Sequence, residues 1–133
     1  MKRYVFDSYA LLAFLEDEQS AAKVEKRLRE VISKKAHGFL SVINWGEIYY
    51  TISREQGETL AEEVIKALAQ YPLKVLDVDR ELTKIAAKFK GEHKIAYADC
   101  FAAALAKRYN AAVLTGDPEF KQLEKDIEII WLD

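Results

Sequence analysis

Along the chain, short apolar runs alternate with longer stretches in which apolar residues recur every three or four positions. The runs at 3–6, 38–40, 73–78, 112–115 and 127–132 are rich in Val, Ile, Leu and aromatic residues and read as strands. Helical periodicity occupies 8–16, 19–33, 42–56, 59–70, 80–90 and 95–109, and a short helix is expected after Pro118. In 19–33, Ala22, Val24, Leu28, Val31 and Ile32 fall at the spacing of one face, with Glu25, Lys26, Arg27, Arg29 and Glu30 mostly on the other. In 59–70, Leu60, Val64, Ile65 and Leu68 turn inward in the same way. Strands that alternate with helices imply an α/β fold, a short and mainly parallel sheet covered on both faces. Two or more helices, the second and third (19–33 and 42–56) among them, are expected to reach beyond the sheet as a clip.

The chain's 133 residues suit one domain spanning 1–133. Half of them are apolar and 32% are charged, an ordinary globular balance with no low-complexity stretch or linker. The net charge of −2 argues against a module that binds nucleic acid by backbone neutralisation alone. It argues less against an enzyme whose positive charge comes from a metal ion. A single cysteine, Cys100, excludes an intramolecular disulfide and a cysteine zinc site, and its alanine neighbours mark it as a core side chain. No run has the apolar length of a membrane span or signal peptide, so a cytoplasmic protein without membrane partners is expected.

Four carboxylates stand where strands hand over to helices, or on helices too apolar to suit them: Asp7, Glu47, Asp99 and Asp117. Asp7 follows Tyr4-Val5-Phe6, where it serves as a helix cap or as a ligand, and Ser8 is an alternative cap. Asp117 opens Gly116-Asp117-Pro118-Glu119, which on its own reads as a helix start. Asp99 is placed in the middle of an Ala-rich helix, with Ile95, Ala96, Ala102 and Ala103 one turn away. An unpaired carboxylate on that face needs a partner. Glu47 lies one turn after Asn44 on a helix flanked by Ile48, Tyr49 and Tyr50, so an amide and a carboxylate project together; a solvated Glu47 is the alternative. Acids that converge at the carboxyl ends of parallel strands without a basic partner repel one another and favour a hard divalent cation, Mg²⁺ or Mn²⁺. Such a site suits hydrolysis of phosphate esters in nucleic acid.

Other chemistries lack their residues. There is no glycine-rich phosphate loop and no Gly-x-Ser-x-Gly elbow. His37 and His93 stand apart and are expected at the surface, as is the Lys88-Lys90-His93-Lys94 cluster, a solvated loop that lies shortly before Asp99 and could touch phosphates. Trp45, Tyr49 and Tyr50 are expected in the core or at an oligomer contact.

The ordered set Val5-Phe6-Asp7-Ser8, Asn44-Trp45-Gly46-Glu47, Tyr97-Ala98-Asp99 and Thr115-Gly116-Asp117-Pro118-Glu119-Phe120 resembles the PIN-domain nucleases, and among them the VapC-type toxins of toxin–antitoxin pairs. The resemblance spans almost the whole chain. It implies a PIN-like α/β/α sandwich and a Mg²⁺- or Mn²⁺-dependent endoribonuclease whose catalytic and metal-binding residues are Asp7, Glu47, Asp99 and Asp117. It further implies that Ser8, Asn44 and Thr115 support the acids by hydrogen bonds. RNA as substrate, an antitoxin protein as partner and a homodimer are implied in the same way. A PIN-domain ribonuclease of RNA processing or quality control, without an antitoxin, and a non-catalytic acidic binding module are the alternatives.

Overall fold

The computed structural model describes residues 1–133. In chain order the elements are β1 (Lys2–Phe6), α1 (Ser8–Leu15), α2 (Ala21–Ile32), β2 (Ala36–Ser41), α3 (Val42–Gln56) and α4 (Glu58–Leu68). They continue with β3 (Leu73–Leu76), α5 (Arg80–Glu92), α6 (Tyr97–Tyr109), β4 (Ala112–Thr115), a 3-10 turn (Pro118–Leu123) and β5 (Glu128–Trp131). The sheet has five strands in the order β3-β2-β1-β4-β5. Every pairing is parallel, which requires the helical crossovers that the alternating pattern predicts.

Side chains of β1 alternate between two apolar layers. Tyr4 and Phe6 join a layer built with α1, α2, α3 and α4, whereas Val5 joins the layer under α5 and α6. All three are nearly inaccessible, so the strand reads as a continuous apolar run rather than an alternating one. The order of strands reverses at β1: β2 and β3 lie to one side, β4 and β5 to the other. The carboxyl ends of β1 and β4 therefore flank the switch point at which open α/β sheets bind ligands.

Three expectations change. Helix α6 begins at Tyr97, two residues later than its periodicity suggests, because Ile95 is buried in the core and Ala96 is extended (φ −58, ψ 141). Strand β3 stops at Leu76, and the chain turns there toward Asp79, whose Oδ1 caps α5 by accepting from the Leu82 amide at 2.7 Å. His93 is half-buried with its ring tilted on Phe89, while His37 is exposed. Cys100 is buried, as its neighbours suggest.

The paired helices are α3 and α4 rather than the second and third, because β2 separates α2 from α3; α3 and α4 pack on each other as a hairpin joined at Gly57 (φ 99), a backbone conformation open to glycine. The inward face of α2 is used up in the core through Ala21, Val24, Leu28 and Val31. Half-buried apolar surface remains on α4, at Leu60, Val64 and Ile65.

Phe120 is fully buried among the α5 and α6 side chains and anchors the turn between Asp117 and Leu123. Phe120→Ala removes a ring from a filled site and should cost about 3–5 kcal/mol in urea unfolding. A loss below about 1 kcal/mol would show that the ring does not hold the turn.

Candidate active site

Each acid is placed by the end of an element. Asp7 follows β1 and caps α1: its Oδ1 accepts from the Ala10 amide at 2.8 Å. Asp117 follows β4 and caps the next turn, Oδ1 accepting from the Glu119 amide at 2.9 Å, while its own amide donates to Thr115 Oγ1 at 3.0 Å. Glu47 projects from α3, and its Oε1 accepts from Ser8 Oγ at 2.8 Å and from Asn44 Nδ2 at 3.0 Å. Asn44 also donates to the Ala98 carbonyl at 3.3 Å and so ties α3 to the start of α6. Ser8 thus does not cap α1; its hydroxyl serves Glu47 instead.

For Asp7 and Asp117 the capping reading is met, and it does not exclude a ligand role. A carboxylate has two oxygens with about four acceptor sites, so one oxygen caps and the other is left over. In Asp7 the leftover Oδ2 is buried without any hydrogen-bond partner. Asp99 corrects the sequence reading. Because α6 starts late, it lies in the first turn rather than mid-helix, where the helix dipole favours a negative charge. It is nonetheless only 7% exposed, and the dipole does not relieve its surroundings.

Those surroundings are acidic. Burial, together with the charges of Asp7, Asp117 and Glu47, raises the Asp99 carboxyl well above the usual carboxylate range. Asp7 is pushed up to about 7, chiefly by burial, with the charges of Asp117 and Glu47 adding to the rise and the Ala10 amide hydrogen bond opposing it. None of the ion pairs in the molecule involves any of the four acids.

A fifth carboxylate joins them. Oxygens of Asp99, Asp117 and Glu119 lie within 4.8 Å of one another. In the sequence Glu119 reads only as a first-turn acid. Its Oε1 accepts from the Ala96 amide at 3.2 Å and so closes the open start of α6, a contact across 23 residues that local spacing does not announce. Asp7 and Glu47 stand outside this tight group of three, but their charges still act on Asp99.

The donor set tests well against a divalent cation. Its oxygens come from carboxylates, with no cation beside them, and Asp7 Oδ2 and Asn44 Oδ1 are buried with no partner. Oxygen-only sites of this kind suit hard divalent ions.

A family model described as PIN domain matches residues 4–126. The chain belongs to the PIN domain family. No curated protein matches it significantly. Several solved structures share the PIN-domain fold. VapBC2 from Rickettsia felis, bound to a DNA fragment from its promoter, superposes with a TM-score of 0.78 at 19% identity over 98% of this chain and 99% of that one. DNA-bound VapBC from Salmonella typhimurium gives 0.76 at 16% identity over the whole of both chains (100% each). VapC20 from Mycobacterium tuberculosis, a Sarcin-Ricin loop cleaving toxin, gives 0.69 at 17% identity over 90% of this chain and 93% of that one. At these identities the likeness is one of fold. The five-stranded parallel sheet between two helical layers is the PIN-like α/β/α arrangement expected from the sequence.

The raised acids give the metal-free PIN domain a pH dependence of definite sign. The folded state holds its protons more tightly than the unfolded chain does. Stability contributed by Asp7 is therefore full below its unfolded value of 3.8 and falls as pH rises toward its folded value of about 7. In EDTA, the thermal midpoint should rise as pH is lowered from about 7.5 to 5. Asp99→Asn, which removes one of the repelling charges, should raise the midpoint at pH 7.5 and flatten the profile. A profile that falls over the same interval would show that the acids do not repel one another.

Proposed function

We propose that this PIN domain is a Mg²⁺- or Mn²⁺-dependent endoribonuclease, and that it is the toxin of a VapBC-type toxin–antitoxin pair. The observation that carries the nuclease reading is the orphaned, fully buried Asp7 Oδ2 inside a cluster of acids that no lysine or arginine neutralises. Leaving a buried acceptor unpaired is costly, and a bound cation is what would satisfy it.

A divalent ion at this site would supply the Lewis acidity that activates water and offsets charge on the phosphodiester. The chain's part is to hold that ion and aim the substrate. Asp7 and Asp99, the two most buried acids, are assigned as direct ligands. Glu47 and Asp117 are assigned to a second ion or to bound waters, with Glu119 beside Asp117 as an added candidate. Ser8 and Asn44 both bond Oε1 of Glu47, which fixes the carboxylate's rotamer. Thr115 steadies the backbone of Asp117. Family membership supports the reaction class, since PIN domains are typically nucleases.

The toxin reading draws on the names of the similar structures, several of which are VapBC complexes. A hollow of about 520 Å³ between the end of α1 and the α3–α4 hairpin supports it. Leu15, Ile52, Leu60 and Val64 line it, and Glu16 and Glu55 rim it, which suits an amphipathic antitoxin helix carrying basic residues. We propose in addition that the chain works as a homodimer in the cytoplasm, with RNA as substrate.

Asp7→Asn and Asp99→Asn keep the shapes of the side chains while removing charge. RNA cleavage by either variant should fall by about two orders of magnitude or more, with the far-UV circular dichroism unchanged. Full activity in both would overturn the assignment. Millimolar Mg²⁺ or Mn²⁺ should raise the thermal midpoint of the wild-type chain, by mass action, and this shift should shrink in Asp99→Asn. Growth arrest on expression, relieved by a short neighbouring reading frame with a basic amphipathic tail, would separate the toxin from a ribonuclease of RNA processing. Cleavage without arrest or such a neighbour favours the latter.

A further inference from the structure

At the end of the sheet opposite the acids lies a hollow of about 640 Å³ whose lining includes no carboxylate. Strand register builds it. Arg3 pairs with His37, and Phe39 pairs with Lys74, so these four side chains lie in two neighbouring pairs along β1, β2 and β3. Tyr109, at the end of α6, stacks on Phe39 with ring centroids 4.8 Å apart and planes inclined by 20°. His37 is also stacked with Phe39, at 6.4 Å and 25°. Lys34, with left-handed backbone (φ 63) just after α2, closes the hollow from another side.

Helices end at this pole of a parallel sheet, so some of its cations belong to the fold. Arg3 does: it donates to the Tyr109 carbonyl at 2.9 Å, satisfying the last turn of α6. Arg108 does as well, paired with Asp79 at 3.2 Å and Glu81 at 3.9 Å. Lys34 and Lys74 are different, because neither ammonium group makes a hydrogen bond or an ion pair with the protein. Two free cations beside an exposed imidazole and a half-exposed phenol ring offer phosphate contacts and a stacking surface together. A chain with a net charge of −2 and an unneutralised acid cluster also needs cationic surface elsewhere if it is to hold a polyanion.

We propose that this hollow binds a nucleoside phosphate, with the phosphate on Lys34 and Lys74 and the base against His37 and Tyr109. Its natural source is an unpaired nucleotide of a single-stranded RNA segment. A stacking surface takes bases out of a strand, whereas a duplex would need a longer row of cations. The site is separate from the acid cluster, and the inference does not rest on cleavage.

The test is a binding measurement in EDTA, so that the presence or absence of nuclease activity does not affect it. A labelled, unstructured RNA 12-mer and adenosine monophosphate are titrated in turn into the wild-type chain, into Lys34→Ala/Lys74→Ala, into His37→Ala and into the control Lys66→Ala/Lys125→Ala. The lysine pair should weaken RNA binding and lower the slope of log affinity against log salt by about 1–2. His37→Ala should weaken binding roughly fivefold or more at an unchanged slope. Binding of the 12-mer with weak binding of the mononucleotide identifies RNA as the source; comparable binding of both identifies a free nucleotide. Affinity and slope that match wild type in the lysine pair, or that fall equally in the control pair, overturn the proposal. Unchanged circular dichroism in each variant confirms that the fold is intact.

Discussion

The fold turns on one short seam. Strands β1 and β4 meet over three residue pairs, Tyr4 with Ala112, Val5 with Val113 and Phe6 with Leu114, and this contact joins the two halves of the sheet. It also brings together the two strand ends that carry Asp7 and Asp117. Helix α6 lies across that region, and its buried residues are mostly small: Ala102, Ala103, Ala104 and Ala106. Small side chains allow a helix to sit close to a sheet, and that closeness lowers Asp99 toward Asp7. The seam thus works against its own electrostatics. Apolar burial on both faces holds in place charges that would otherwise separate, which is the usual trade of stability for function at a strained site.

Much of this was visible in the residues. Strand–helix alternation gave the parallel α/β architecture, because each element has one period and the periods differ. Asp7 and Asp117 were recognisable at strand ends. Capping and ligation do not exclude one another at those positions, since one oxygen of each carboxylate makes the cap and the other is left over. Asp99 was picked out for a reason that proved partly mistaken. The late start of α6 puts it in a first turn, and its perturbation comes from burial and its acidic neighbours rather than from a mid-helix position.

Other features depended on distance in space rather than in sequence. Glu119 enters the cluster because the turn after β4 folds back over the start of α6, and no local pattern encodes that contact. The core takes up Val24, Leu28 and Val31 of the apolar face of α2 and leaves Ala22 and Ile32 exposed, because periodicity shows that a face is apolar without showing what covers it. The cations of the hollow at the opposite pole are scattered over residues 3 to 108, and only the strand register and the ends of α2 and α6 gather them.

The shared duty of the capping acids has an evolutionary side. Asparagine caps helices about as well as aspartate, and the two are separated by a single base change. At Asp7 or Asp117 that change would silence the charge while sparing the helix start. On the function proposed above, chains of this design stand one mutational step from copies that fold normally and do nothing, and inactive relatives with intact architecture should accumulate readily wherever selection on the activity relaxes.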